Sequence, residues 1–144
     1  MCIIIDADVA HLLSPLSDDA RPVVDWIERG SGRLVIGGQN TRELLRNAAA
    51  VGWVRTLLQA GRARRLPEDV LVAERQNVEQ LGLCCSNDLH IIALARASGA
   101  RIVFSQDKKL HTDFTNGALI NRPRGKVYQA VNHRHLLRSD ACRR

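Results

Sequence analysis

Ile3-Ile4-Ile5-Asp6-Ala7-Asp8-Val9 is the stretch on which the fold turns. Three consecutive isoleucines fit a strand buried on both faces, as in a parallel sheet covered by helices, because a half-exposed strand would alternate apolar and polar residues. Asp6 ends the run. A charge abutting such a strand is costly unless it has a partner. The carboxyl ends of strands are where open α/β sheets gather their ligands.

Working outward, the first strand is expected over 2–5, then a brief helical turn over 8–13 stopped by Ser14-Pro15. Val23, Val24 and Ile27 recur at helical spacing within 18–29, and Gly30 stops that helix. A second strand is expected over 33–36, closed by Gly37-Gly38. A long helix follows over 41–60, which Gly52 would split if anything does. Residues 61–65 are expected as a basic connector, and Pro67 opens a helix running to 81. A helix over 88–97, a third strand over 101–105 and a short helix over 108–114 come next. Residues 118–120 and 126–128 are weaker strand candidates, and 133–144 a small helix with a basic tail. The order β-α-β-α-α-α-β-α predicts an α/β fold, a three-layer sandwich around a central, mainly parallel sheet. One domain over 1–144 is expected, with 115–144 a C-terminal extension of it.

With 45% hydrophobic and 25% charged residues, the chain has the balance of a globular core former, which excludes a disordered tail or a collagen-like fibre. Its longest apolar runs fall far short of the roughly 18 residues a membrane span needs. Asp6 and Asp8 also break any secretory signal at the start. A cytoplasmic, membrane-free protein is expected. Cys2, Cys84, Cys85 and Cys142 lack Cys-x-x-Cys spacing and read as reduced thiols, the middle two as half-buried filler. The net charge of +6 favours polyanionic partners. Aromatics at 3% argue against a surface built on base stacking, so backbone contacts would dominate any nucleic-acid interface.

Three acids fall at or just past predicted strand ends: Asp6, Glu43 and Asp107. A fourth, Asp88, opens a helix leading to the third strand. Carboxylates converging at one sheet edge repel unless a counter-charge sits among them, and Mg²⁺ or Mn²⁺ is the natural one. Such a site can activate water for phosphoryl displacement. Each acid also has a plainer role open to it. Glu43 lies three residues after Asn40, as in a capping box. Asp88 suits a first helical turn, and Asp107 could cap the helix at Lys108.

Ile3 to Val9 resembles the opening strand and first acid of a PIN domain. Asn87-Asp88-Leu89-His90-Ile91-Ile92-Ala93-Leu94-Ala95 is similar to the family's third-acid helix. Arg101-Ile102-Val103-Phe104-Ser105-Gln106-Asp107, followed by Leu110 and Phe114, is similar to its strand ending in Thr or Ser, x, Asp. Glu43 matches the second acid, and the likeness spans nearly all of 2–114. What it implies is a Mg²⁺- or Mn²⁺-dependent endoribonuclease cutting single-stranded RNA. Asp6, Glu43, Asp88 and Asp107 would be its metal-holding catalytic acids, with Ser105 a supporting hydroxyl. It further implies a toxin of a toxin–antitoxin pair, with a protein antitoxin and a homodimer. Asp8 departs from the Asn or Ser usual there and adds a charge to the site. Asp113 is a possible outer acid, but a solvated helix position is the plainer expectation.

Arg62, Arg64 and Arg65, and Arg122, Arg124 and Lys126, form two basic groups that could guide a phosphate backbone or simply be solvated. His90 and His111 lie near the acids in sequence and could contact phosphate or serve only the surface. His133 and His135, two apart, make a poor metal pair. Trp26 and Trp53 fit the core. Gly37-Gly38 lacks the Lys and spacing of a P-loop. Two alternatives stand beside the nuclease. Asp6-Ala7-Asp8 also fits the Asp-x-Asp opening of a haloacid-dehalogenase-type phosphatase, with Asp6 as nucleophile and Asp8 as acid/base. A catalytically dead RNA- or protein-binding module is the other.

Overall fold

The computed structural model describes residues 3–138. Its sheet contains β1 (Ile3–Ile5), β2 (Leu34–Ile36), β3 (Ala63–Arg65), β4 (Ile102–Phe104) and β5 (Lys126–Tyr128), in the order β3-β2-β1-β4-β5. Every pairing is parallel. The helices are α1 (Arg21–Arg29), α2 (Gly38–Leu44), α3 (Ala48–Gln59), α4 (Glu68–Leu81), α5 (Leu89–Ser98) and α6 (Lys108–Phe114), with 3₁₀ turns at Ala7–Leu12 and Val131–Leu136.

Strand alternation splits the core between the two faces. Ile3, Ile5, Leu34, Ile36 and Phe104 pack with Val23 and Ile27 of α1 and Val54 and Leu57 of α3. Ile4, Val35 and Val103 pack on the other face with Leu71 and Val78 of α4, Ile91, Ile92 and Leu94 of α5, and Leu110 and Phe114 of α6. These are the three layers expected for an α/β sandwich. The continuous apolar runs in β1, β2 and β4 are buried throughout because helices cover both faces.

The topology decides where a site can form. From β1 the chain steps through β2 to β3 on one side, then returns to lay β4 and β5 on the other. The helix following β1 packs on one face and the helix following β4 packs on the opposite face. The crevice between the carboxyl ends of β1 and β4 is therefore the topological switch point, where open α/β sheets bind ligands.

Several local expectations are corrected. Residues 63–65, expected within a connector, form edge strand β3, held by the ladder to β2. The helix expected over 41–60 breaks at 45–47 and not at Gly52. Asn47 caps the second piece, its side chain accepting from the N–H groups of Ala49 (3.0 Å) and Ala50 (3.3 Å). Residues 118–120 are turn, while 126–128 are the strand β5. Tyr128 of β5 is fully buried, stands edge-on to Phe104 at 5.1 Å, and donates its hydroxyl to Asp19 O at 2.6 Å. Residues 115–138 thus supply an edge of the sheet. Trp26 is buried and donates to Ser31 Oγ, and Trp53 packs partly buried against the same cluster. Cys84 is half-buried but Cys85 is exposed, and both are free thiols. Cys2, Cys142 and the expected tail over 139–144 lie outside the described residues. Among the described residues no helix is long and apolar enough to cross a membrane.

Candidate active site

Asp6 leaves β1 directly into the switch-point crevice. Its N–H completes the ladder to Phe104 O at 3.0 Å, so its backbone is fixed by β4. The Asn40 amide of α2 donates to Ile5 O at 3.0 Å and pins the strand end from the other side. Ser105, fully buried at the end of β4, donates to the Asp6 carboxylate at 2.9 Å and accepts from Asp107 N at 3.0 Å. One hydroxyl thereby ties the first and last acids together.

Asp107 caps α6, its Oδ1 accepting from Lys109 N (3.0 Å) and Leu110 N (3.4 Å). The capping role holds for that oxygen, and the Asp107 carboxyl also lies near enough to Asp88 to raise its proton affinity. Asp88 occupies the N-cap position of α5 but makes no capping bond, which turns its carboxyl to its acidic neighbours. Asp8, in the turn after β1, accepts from Gln106 N at 3.3 Å and lies near enough to Asp6 for its charge to act on that carboxyl. Glu43 lies on α2, accepts from Gln39 Nε2 at 2.8 Å, and acts on Asp88 through charge. No capping box forms, because Asn40 is inside α2 and spends its amide on Ile5.

The electrostatics follow from this crowding. Burial first, then the Asp8 charge, pushes Asp6 up to about 7. Burial, then Asp6, Asp107 and Glu43, pushes Asp88 up to about 6. Asp8 keeps an exposed face, yet partial burial of its carboxyl and the charges of Asp107 and Asp88 raise it too. Asp6 and Asp8 titrate as a pair, with burial raising both carboxyls and the Asp8 charge adding to the rise at Asp6. The acids expected at the site, Asp6, Glu43, Asp88 and Asp107, are thus brought into one group with Ser105 and Asp8.

Asp113 stands apart from that group and is not a solvated helix residue. It is 1% exposed and accepts from Cys85 N (2.9 Å), Ser86 N (2.9 Å) and Ser86 Oγ (2.6 Å). Burial raises its pKa, but these hydrogen bonds outweigh burial and hold the carboxyl below its ordinary value. Ser86 Oγ in turn accepts from Asp88 N at 3.3 Å, so Asp113 anchors the loop that presents Asp88. Sequence reasoning gave Asn40 no part in the site and missed the anchoring role of Asp113. Their partners lie 35 and 27–28 residues away, beyond any local pattern.

The basic groups divide. Lys126 N bonds Arg101 O at the start of β4, so the group Arg122, Arg124 and Lys126 approaches the sheet's amino edge, opposite the acids. Arg62 donates to Gly30 O, closing the C-terminus of α1. Arg65, exposed at the carboxyl end of β3, shares the acids' edge. His111 donates Nε2–H to Ser105 O at 2.8 Å, and His133 accepts from Gln129 N at 3.1 Å through Nδ1.

Among the described residues no three His, Cys, Asp or Glu side chains are arranged, as they stand, to hold one ion. They do not form the closed tetrahedral cage of a structural zinc site. Mg²⁺ asks for less, because it keeps several waters and takes one or two carboxylates plus substrate phosphate. An all-oxygen donor set whose members raise one another's proton affinity suits such a hard cation in chemistry and charge. The chain matches no protein-family model, no curated protein and no solved structure.

Proposed function

We propose that the chain is a Mg²⁺- or Mn²⁺-dependent endoribonuclease acting on single-stranded RNA. The observation that carries this reading is the convergence of Asp6, Asp8, Asp88 and Asp107 at the β1/β4 switch point, with Glu43 acting on Asp88. Asp6, Asp88 and Asp107 would hold the cation, with Glu43 and Asp8 acting through its water shell. When bound, the cation activates water and offsets charge developing at phosphorus. Ser105 keeps Asp6 and Asp107 in register, Asn40 fixes the end of β1, and Asp113 fixes the approach to Asp88. Protons held by these crowded carboxyls would leave as a cation enters.

The net charge of +6 supports a polyanionic substrate. The choice of RNA, the toxin role, the antitoxin and the homodimer rest on the PIN resemblance. A phosphatase with Asp6 as nucleophile and Asp8 as acid/base is the alternative reading, and covalent labelling of Asp6 by a phosphate ester would favour it over the nuclease. The test is cleavage of end-labelled single-stranded RNA in Mn²⁺, with an EDTA control and Asp6→Asn. Metal-dependent cutting that disappears in the variant supports the nuclease. An inert wild type, or equal cutting by Asp6→Asn, overturns it. Co-purification from the native host, with and without a small acidic-site-binding protein, tests the toxin role.

A further inference from the structure

The turns over 117–124 border a hollow at the amino edge of the sheet, away from the carboxylates. It has about 310 Å³ of room, and its walls include Glu74, Arg96, Arg101, Gly117 and Asn121. Arg96 donates Nε to Glu74 at 2.6 Å and Nη1 to Leu119 O at 2.8 Å. Its Nη2 has no acceptor among the described residues and remains open to solvent. Arg101 donates Nη1 to Ala95 O (2.8 Å) and Ala100 O (2.9 Å), and Nη2 to Asn121 O (3.2 Å). All three of its acceptors are neutral carbonyls.

The hollow is short of negative charge. Two guanidiniums line it with one carboxylate, and Arg96 already holds that carboxylate. Arg101 is in no ion pair among the described residues. Burial, then the charge of Arg96, lowers its pKa from the ordinary arginine value. A half-buried charge without a counter-charge is costly. The C-terminus of α5, where Ala95 O accepts from Arg101, supplies only about half a unit of negative charge. A third cation stands at the rim. A Cβ on Gly117 would lie 3.2 Å from Arg124 Nη2, so the missing side chain makes room for that guanidinium. Asn121 Oδ1 accepts from Arg122 N at 2.8 Å, which leaves Nδ2 as a further donor. No aromatic ring lines the hollow, so it offers donors to a phosphate and no stacking surface to a base.

We infer that this hollow is an anion site, in which Arg96 Nη2, the remaining N–H of Arg101 Nη2 and Arg124 donate to one phosphate group, either free or part of a nucleic-acid backbone. Arginine N–H groups meet phosphate oxygens with charge as well as direction, which makes such bonds stronger than neutral ones. A bound phosphate supplies the counter-charge that Arg101 lacks. The exposed Arg122 and Lys126 extend the same basic edge, so a polyanion gains more there than a single ion. β4, three residues and about 10 Å long, separates this edge from the acids at its other end. The site stands whether or not those acids cut RNA.

The test uses the full chain in EDTA, so that RNA binds without being cut, with sodium chloride holding ionic strength constant. Backbone amide resonances of 117–122 are followed by NMR while inorganic phosphate, and separately a short single-stranded RNA, are titrated. Phosphate is expected to shift them to saturation. Arg124→Gln, at an exposed position, is expected to weaken that binding about tenfold. Arg55→Gln, which removes one exposed charge on α3, is expected to leave it unchanged. Saturation by RNA at lower concentration than phosphate, again weakened in Arg124→Gln, assigns the site to a nucleic-acid backbone. Saturation by phosphate alone assigns it to a free phosphorylated compound. Resonances that ignore both probes, or that drift with them without saturating, overturn the anion site. So does an Arg124→Gln protein that behaves like Arg55→Gln.

Discussion

Replacing Asp6 by Asn should stabilise the protein while removing its proposed activity, and the effect should depend on pH in a defined direction. Asp6 is buried with Asp8 against it, and its pKa rises from 3.8 to about 7. Between those values the folded chain holds a proton that the unfolded chain has released, so stability falls as pH rises. The penalty is absent below about pH 4, grows through neutrality and is constant above about pH 7. Asn resembles the protonated acid: its oxygen still accepts from Ser105 Oγ, and its amide donates towards Asp8. It carries no such penalty. From pH 5 to about pH 7, at about 1.4 kcal/mol per pH unit, the variant's advantage should grow by about 3 kcal/mol. For a chain of this size that is about 8 °C in melting temperature. Thermal unfolding followed by circular dichroism in EDTA, at pH 5 and pH 8, measures it directly. An advantage that is the same at both pH values, or that shrinks at pH 8, would show that Asp6 is not held protonated by burial and its acidic neighbours.

Three further outcomes are expected. Asp113→Asn turns one accepting oxygen into a donor facing N–H or O–H groups of the 85–86 loop, and should cost about 3 kcal/mol in urea unfolding at pH 7. Because the Asp113 pKa is lowered, the stability it contributes is present above about pH 4 and lost as pH falls through its folded value, so the variant's deficit should shrink in acid. Tyr128→Phe removes the bond to Asp19 O and should cost about 1 kcal/mol, while leaving the Phe104 ring contact and metal response intact. Mn²⁺ should raise the wild-type melting temperature more at pH 8 than at pH 5, because protons on Asp6 and Asp88 compete with the ion. An equal rise at both values would place the ion elsewhere.

The legible parts of the fold were those whose side chains alone dictate their environment. Ile3–Ile5, Leu34–Ile36 and Ile102–Phe104 are apolar on both faces, which only a covered sheet accommodates. Asp6, Asp88 and Asp107 were legible because each follows a strand or opens a helix, places where a carboxylate is conspicuous, whereas Glu43 sits in the last turn of α2. β3 was hidden because Ala63–Arg65 carries two arginines; an edge strand tolerates charge, and here its conformation comes from backbone pairing with β2. The break before α3 did carry a signal, since Asn47 is a good N-cap, but the continuing apolar pattern on both sides masked it. Leu119 and Ile120 are apolar because they plug the core under a turn. Asp113 and His90 look alike in sequence, polar residues on amphipathic helices. Their opposite states, one saturated with hydrogen bonds and one with none, arise from residues brought in by the tertiary fold.

Mn²⁺ binding followed by electron paramagnetic resonance at pH 8, on wild type, Asp6→Asn and Asp88→Asn, bears most directly on the carboxylate site. The switch-point site requires saturable binding by wild type and a loss of about tenfold or more in each variant, with both variants folded. Wild type that takes up no Mn²⁺, or variants that bind it as tightly as wild type, would contradict a metal centre built from these acids.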